Sequence, residues 1–186
     1  RLGARHALAA PQDADLRRLA DTLAAFAELA ARYGLGVDLE PTPWYEVSTL
    51  DATSRVIDAT GRDDIGIVVD AIHLDRAGDS AASIATQPAR RFRYLQLCDA
   101  PAERPADLAT LLLQARCERL MPGDGGLDLA GIVAALPPGI PISLEIPMHE
   151  RARTVDTPSR ARQMLAKTRA LLARIPPTGT GDPSPS

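Results

Sequence analysis

The sequence contains few aromatic residues, few cysteines and no surplus of positive charge. Aromatic residues make up 3% of its 186 residues, and its 21 lysines and arginines are outnumbered by 24 acidic residues. A nucleic-acid-binding surface needs surplus Lys and Arg to neutralise phosphates, so we expect no nucleic-acid partner. No apolar run approaches the length of a membrane span, so we expect no membrane partner either.

The two cysteines, Cys98 and Cys117, do not have the spacing of a metal-binding motif. The sequence alone does not decide whether they could pair with each other. We interpret both as reduced thiols, which predicts that the protein is cytoplasmic.

The segment Ile65–His73 has the strongest pattern in the chain. It is a run of apolar and β-branched residues that ends in Asp70, with His73 three residues later. Such a run predicts a strand covered on both faces, as in a parallel sheet. A carboxylate at the end of a buried strand needs a partner. Asp70 could also simply cap the following helix, with His73 in an ordinary packing contact.

Three further segments repeat this pattern and end in polar oxygen donors: VDLE at 37–40, YLQLCD at 94–99 and ISLE at 142–145. Glu40, Asp70 and Gln96 follow one another at intervals of about 30 residues, the length of one βα unit of a TIM barrel. The longer step to Glu145 predicts an inserted loop. Strands alternate with helical segments throughout, so the fold class is α/β with a parallel sheet.

The strand ends of such a barrel meet at one face, where they would bring together Glu40, Asp70, Gln96 and Glu145. Three carboxylates at such a site repel one another unless a cation lies between them. The ligand set is all oxygen, which favours Mg²⁺ or Mn²⁺ over Zn²⁺ or Co²⁺. We therefore predict a divalent-metal site formed by these four residues.

The chain is short for a closed eight-stranded barrel, which needs roughly 200–250 residues. It begins at Arg1, without Met and in the middle of the pattern, so we expect an N-terminal portion to be missing. We predict one domain over residues 1–174. Residues 175–186 are rich in Pro, Ser and Gly and predict a disordered tail.

Several other residues are candidates for the site. Trp44, the single tryptophan, follows the Glu40 strand and could line the pocket or anchor a loop. Arg151 or Arg153, after the Glu145 strand, could bind a substrate carboxylate or phosphate, or could be solvated surface residues. The Gly-rich loop 122–126 could present backbone N–H groups to an anion, although it lacks a phosphate-loop lysine.

The sequence resembles the sugar phosphate isomerase/epimerase family, the xylose-isomerase-like TIM barrels. The matching segments are LEPTPW, VVDAIH, YLQLCDAP, RLMPGDGGLDL and ISLEIP. The resemblance implies that this chain contains about strands four to eight of the barrel, with the four metal ligands on strands five to eight. Many family members have His where Gln96 stands. Gln96 with Pro101 and Arg104 is similar to the hydroxypyruvate-isomerase-like branch.

The resemblance implies a metal-dependent isomerase or epimerase of a small sugar or hydroxy-carbonyl compound. Glu40 and Glu145 would transfer protons on opposite sides of the reacting carbon, through an ene-diolate. His73 would hydrogen-bond a substrate oxygen, and Trp44, Arg104 and Arg151 would complete the substrate site.

Three alternatives remain at this point. A dehydratase acting on a compound like 3-dehydroshikimate would use the same fold. A non-catalytic member would only bind a sugar or assemble. An endonuclease-type relative would need a histidine-rich site, which three histidines and an acidic pI do not favour. The sequence leaves open whether copies of the chain form a homo-oligomer.

Overall fold

A computed structural model describes residues 3–176 of the chain. Its sheet has five parallel strands in the order of the sequence. They are β1 (His6–Ala9), β2 (Gly36–Leu39), β3 (Gly66–Asp70), β4 (Phe92–Leu97) and β5 (Ile142–Leu144). Each strand is followed by helical structure, so the predicted α/β fold and partial TIM barrel are confirmed.

The helices are α1 (Leu16–Ala31), α2 (Leu50–Ala59), α3 (Ala71–Arg76), α4 (Ala81–Ala85), α5 (Leu108–Arg116), α6 (Leu129–Ala135), α7 (His149–Ala152) and α8 (Thr157–Leu172), with a 3₁₀ turn at Ala89–Arg91. Side chains that accept backbone N–H groups fix several of their beginnings. Asp15 caps α1, Thr49 caps α2 and Asp156 caps α8. No helix within residues 3–176 is long and apolar enough to cross a membrane.

The core lies between the sheet and its helices. Alternate residues of β2, β3 and β4 point to this side, and Leu39, Ile67 and Leu97 are fully buried there. All five residues of β3 are buried, as the apolar run predicted. The opposite face is less covered, since Leu8 on β1 is 42% exposed.

The register brings the predicted site residues to one edge of the sheet. Asp70 of β3 pairs with Gln96 of β4, so the two side chains share a face. The backbone N–H of Glu40 donates to Ala9, and that of Glu145 donates to Leu97, which continues the parallel pairing just past β2 and β5. The four polar residues therefore meet at the carboxyl ends of the strands.

The Gly-rich loop 122–126 does present backbone N–H groups to an anion, but that anion is the buried carboxylate of Asp99. Gly123, Gly125 and Leu127 donate to it at 2.9, 3.0 and 3.1 Å, and Ala100 adds a fourth bond at 2.9 Å. The loop is fixed to the end of β4, and these donors are occupied within the chain. Its role is structural, not the predicted external anion site.

Both cysteines are free thiols, and the buried Cys98 has its Sγ 3.5 Å from Nη1 of Arg119. Most of the predicted tail, residues 177–186, lies outside the described residues. Ile175, its first residue, still donates its backbone N–H to Leu172 at the end of α8.

Candidate metal and active site

The predicted ligands come together from four consecutive strands. Asp70 is the last residue of β3 and Gln96 lies in β4, while Glu40 and Glu145 directly follow β2 and β5. Asp70 and Glu40 are 1% and 8% exposed. The side chain of Glu145 is 42% exposed and lies at the mouth of the site. The site therefore runs from a buried floor to an accessible rim.

Gln96 has one amide atom that is satisfied and one that is not. Its Nε2 donates to Glu145 Oε2. Its Oε1 is buried and has no hydrogen-bond partner within the described residues. A buried amide oxygen without a partner loses its hydration and gains nothing in return. Because amide oxygen is also a hard metal ligand, this atom fits the predicted role of Gln96.

Glu40, Asp70 and His73 form a tight cluster that could hold a metal ion. One donor atom from each residue lies within 4.8 Å of the other two. His73 Nδ1 is 3.6 Å from Glu40 Oε1, and neither ring nitrogen makes a well-formed hydrogen bond within residues 3–176. His73, predicted to contact substrate, is therefore close enough to be a further donor to the ion.

Burial controls the protonation of this cluster. The pKa of Glu40 is raised to about 8, chiefly by burial and then by the negative charges of Asp70 and Glu145, while Arg119 acts in the opposite direction. Burial chiefly lowers the pKa of His73, and Arg119 and Arg116 also act in that direction. His73 is thus a neutral donor, as a metal ligand must be.

Arg119 is a site residue to which the sequence analysis gave no role. It is buried, and its Nη1 donates to Asp70 Oδ2 at 2.6 Å and to the Glu145 carbonyl at 3.1 Å. Its Nη2 lies 3.4 Å from Glu145 Oε1, and its Nε donates to the Ala115 carbonyl. The guanidinium thus joins two of the predicted metal ligands. The sequence signal that could have pointed to Arg119 was the need for a cation among three carboxylates.

Asp70 has both of the roles that the sequence left open. Its Oδ1 caps α3 by accepting the backbone N–H groups of Ile72 and His73, at 3.0 and 3.3 Å. Its Oδ2 faces Arg119. Capping by one oxygen fixes the carboxylate in a single orientation and leaves the other oxygen facing the site.

One wall of the site is aromatic. The ring of Trp44 meets that of His73 edge to face, with centroids 5.1 Å apart, and the guanidinium of Arg116 lies 4.7 Å from the Trp44 ring centroid. A cleft of about 260 Å³ opens here. It is lined by Trp44, His73, Ala115, Arg116, Arg119, Glu145 and Pro147. Trp44 therefore lies where a pocket wall was predicted.

Arg104 and Arg151 lie outside this cleft. Nε and Nη2 of Arg104 each lie 3.3 Å from a carboxylate oxygen of Asp75. Arg151 donates to Gln163 and lines a separate depression with Glu118 and Met148. Arg153 pairs with Glu150 on the surface. A substrate role for Arg104 or Arg151 stays a prediction, which these contacts do not support.

The sequence is similar to those of two curated enzymes. The chain is 31% identical over 170 residues to a 3-dehydroshikimate dehydratase of Pseudomonas aeruginosa, covering 86% of this chain and 26% of that protein. It is 26% identical over 119 residues to an inosose isomerase of Bacillus velezensis, covering 63% and 40%. The chain thus spans about a quarter to two-fifths of the length of these curated relatives.

A crystal structure of the IolI protein with a bound zinc atom has the same fold. The TM-score is 0.77 at 21% identity, over 94% of this chain and 65% of that one. The family described as the xylose isomerase-like TIM barrel matches residues 2–171, which is nearly all of the described chain. The resemblance seen in the sequence is confirmed: the chain belongs to the xylose isomerase-like TIM barrel family.

Proposed function

We propose that this protein is a divalent-metal-dependent enzyme that isomerises or epimerises a small sugar or other hydroxy-carbonyl compound. The main support is the convergence of Glu40, Asp70, Gln96 and Glu145 at one edge of the sheet, where the buried Gln96 Oε1 has no hydrogen-bond partner among residues 3–176. Curated relatives include an isomerase and a dehydratase, which supports an enzyme. These relatives are longer than this chain, so the activity is assigned here as a proposal.

The donor set fits a divalent ion. Glu40, Asp70, Gln96 and Glu145 would hold it, and His73 offers a nitrogen donor within 4.8 Å of donor atoms of Glu40 and Asp70. Oxygen ligands favour Mg²⁺ or Mn²⁺, whereas participation of His73 would favour Co²⁺ or Zn²⁺. When bound, the ion polarises the substrate's carbonyl and adjacent hydroxyl and stabilises negative charge as it develops.

The two glutamates have different environments, which suits different proton-transfer roles. Glu40 is buried, and its pKa of about 8 in the metal-free protein would fall once the ion binds, so it would act as a carboxylate that accepts the α-proton when substrate loosens one of its oxygens. Glu145 lies at the rim, held by Gln96 and Arg119. Removal of the α-proton on one side and its return on the other gives isomerisation or epimerisation through an ene-diolate.

A dehydratase is the second candidate. The observation that favours it is the 31% identity to 3-dehydroshikimate dehydratase over 86% of this chain, a longer match than that to the inosose isomerase. Both reactions begin with loss of the proton next to the carbonyl. In the dehydratase, the electron pair then expels a β-hydroxyl, which leaves as water after taking up a proton.

Product analysis tests the proposal and separates the two candidates. The Mn²⁺- or Mg²⁺-loaded protein is incubated in D₂O with an inosose and with 3-dehydroshikimate, and the products are followed by NMR. An isomerase or epimerase interconverts hydroxy-carbonyl compounds without loss of water. A dehydratase converts 3-dehydroshikimate irreversibly to a dihydroxybenzoate. Stoichiometric metal without deuterium exchange or product on a panel of such substrates would instead indicate a non-catalytic binding member.

A further inference from the structure

Arg116 contacts an aromatic ring, whereas the other arginines near the site face carboxylates. Arg119 faces Asp70 and Glu145, and Arg76 and Arg104 both face Asp75. Arg116 has no carboxylate within ion-pair distance in the described chain, residues 3–176; its recorded partner is the Trp44 ring. Arg116 is exposed, and its positive charge is not paired with a carboxylate of residues 3–176.

The contact with Trp44 positions this charge, since the guanidinium carbon lies 4.7 Å from the ring centroid. A cation–π contact uses no oxygen acceptor, so N–H groups of Arg116 stay available to a ligand. Arg116 is the last residue of α5 and lines the same cleft as His73, Glu145 and Arg119. Arg119, the other cation of the cleft, is already held by two carboxylates.

We propose that Arg116 binds an anionic group of the substrate, a carboxylate or a phosphate, at the end of the molecule away from the metal. Guanidinium binds either group through two parallel N–H···O bonds. The cleft of about 260 Å³ is smaller than most drug-binding pockets, which suits a compact substrate. The inference rests on the proposed function and narrows its substrate class to anionic hydroxy-carbonyl compounds.

Two pairs of probes test this subsite. Catechol and 3,4-dihydroxybenzoate share a metal-binding diol, and only the second carries a carboxylate remote from it. Dihydroxyacetone and dihydroxyacetone phosphate form the corresponding pair for phosphate. The dissociation constant of each probe is measured by calorimetry on the Mn²⁺-loaded protein. We expect the anionic member of at least one pair to bind on the order of tenfold more tightly, as for one charge-assisted contact. The pair that shows the preference identifies the anionic group.

The variant Arg116→Gln should remove that preference while leaving the affinity for the neutral probes unchanged. Arg116→Lys keeps the charge and should keep part of the preference. Arg162→Gln is the matched control, since Arg162 contacts Ser159 on α8 and does not line the cleft. Trp44 is the single tryptophan, so its fluorescence gives a second readout: the anionic probe that shows the preference should change it more in the parent than in Arg116→Gln.

Elemental analysis of each sample shows whether a negative result concerns the anion subsite at Arg116 or the proposed metal-dependent function. Equal affinity for both members of each pair in the metal-loaded parent would overturn the anion subsite and leave the metal-dependent function standing. A preference that survives in Arg116→Gln would also overturn it. A parent that binds no divalent ion would overturn the proposed function and this inference together.

Discussion

The guanidinium of Arg119 lies 2.6 Å from the carboxylate of Asp70, and both side chains are buried. The same guanidinium is 3.4 Å from Glu145. Two of the four proposed metal ligands therefore already have a cationic partner supplied by the protein. Arg119 compensates part of the negative charge of the cluster, and its removal would leave a buried carboxylate without a partner.

Arg119→Gln tests this charge compensation. Breaking a buried ion pair by removing one partner costs about 3–5 kcal/mol, so the metal-free variant should unfold at clearly lower temperature than the parent. Added Mn²⁺ would supply the missing positive charge, and so should raise the melting temperature of the variant more than that of the parent. Thermal melts with and without Mn²⁺ measure both effects.

Arg119→Lys is the control for this experiment, because it keeps the charge and loses the two-pronged contact. It should lie between the parent and Arg119→Gln in both measurements. If Mn²⁺ shifts the melting temperature of Arg119→Gln no more than that of the parent, the arginine does not compensate the charge of the metal ligands.

The floor of the site could be predicted because its residues belong to regular strands. Glu40, Asp70 and Glu145 each end a short strand segment of the sequence, and the carboxyl ends of parallel strands meet at one edge. Gln96 is part of β4 itself, in register with Asp70. The strand pattern is local in the sequence, and with the parallel sheet that it predicts it was sufficient to place these four residues at one edge.

The rest of the site depends on contacts between distant parts of the chain, which local patterns do not encode. Arg119 follows α5 in a segment fixed by the isolated bridges Asp99–Leu120 and Glu118–Met148. Its reach to Asp70 spans 49 residues. Similarly, the loop 122–126 has the composition of an anion-binding loop, and only the fold shows that the anion it binds is the Asp99 carboxylate.

Gln96 should be essential for metal retention. Gln96→Leu removes the unpartnered Oε1 and should lose the ion, because an apolar side chain offers no ligand at this position. Gln96→His supplies nitrogen in its place and should retain an ion, with preference moved towards Co²⁺ or Zn²⁺. Elemental analysis after equilibration with mixed divalent ions gives both answers. Equal metal content in Gln96→Leu and the parent would remove Gln96 from the ligand set.

Metal affinity should depend on pH through Glu40. Burial raises the pKa of its carboxyl from the ordinary 4.5 to about 8, so the group is protonated in the metal-free protein at neutral pH. Since a ligating carboxylate must lose its proton, a cation competes with that proton below pH 8. The affinity should rise by about tenfold per pH unit up to about pH 8 and level off above it.

Calorimetry in buffers of different ionisation enthalpy measures both the affinity and the proton release that accompanies it. Glu40→Gln is the control, since its amide has no proton to release on binding in this range. A flat affinity profile for the parent between about pH 6 and pH 8 would show that Glu40 is not a ligand or is already ionised.

Asp99 should be important for stability rather than for activity. Each of its carboxylate oxygens accepts two backbone N–H groups, so Asp99→Asn places an amide NH₂ against two donors whichever way it turns. The free energy of unfolding should fall by about 2–4 kcal/mol, measured by denaturant titration. Asp128→Asn is the matched control, since this exposed cap accepts one bond and Asn caps as well as Asp. An equal loss in both variants would contradict this role of Asp99.

The two proposed proton carriers, Glu40 and Glu145, can be tested separately from their role as ligands. They follow β2 and β5, with the Asp70 and Gln96 strands between them, so they would approach a bound ion from different sides. Glu40→Gln and Glu145→Gln each keep an oxygen ligand of similar size and remove the group that carries the proton. Metal affinity should therefore fall modestly, whereas turnover should fall by about 10²–10⁴.

Deuterium exchange separates proton transfer from all later steps of the reaction. With an accepted substrate in D₂O, the parent should either place deuterium on the α-carbon or return the original proton to the adjacent carbon. The variant that lacks the glutamate which removes the α-proton should lose this step even while elemental analysis shows that it retains the ion. Because the two carboxylates serve opposite faces of that carbon, an epimerase should need both, whereas a dehydratase could keep exchange at the α-carbon after losing one. Parental turnover in both metal-loaded variants would show that the glutamates are ligands only.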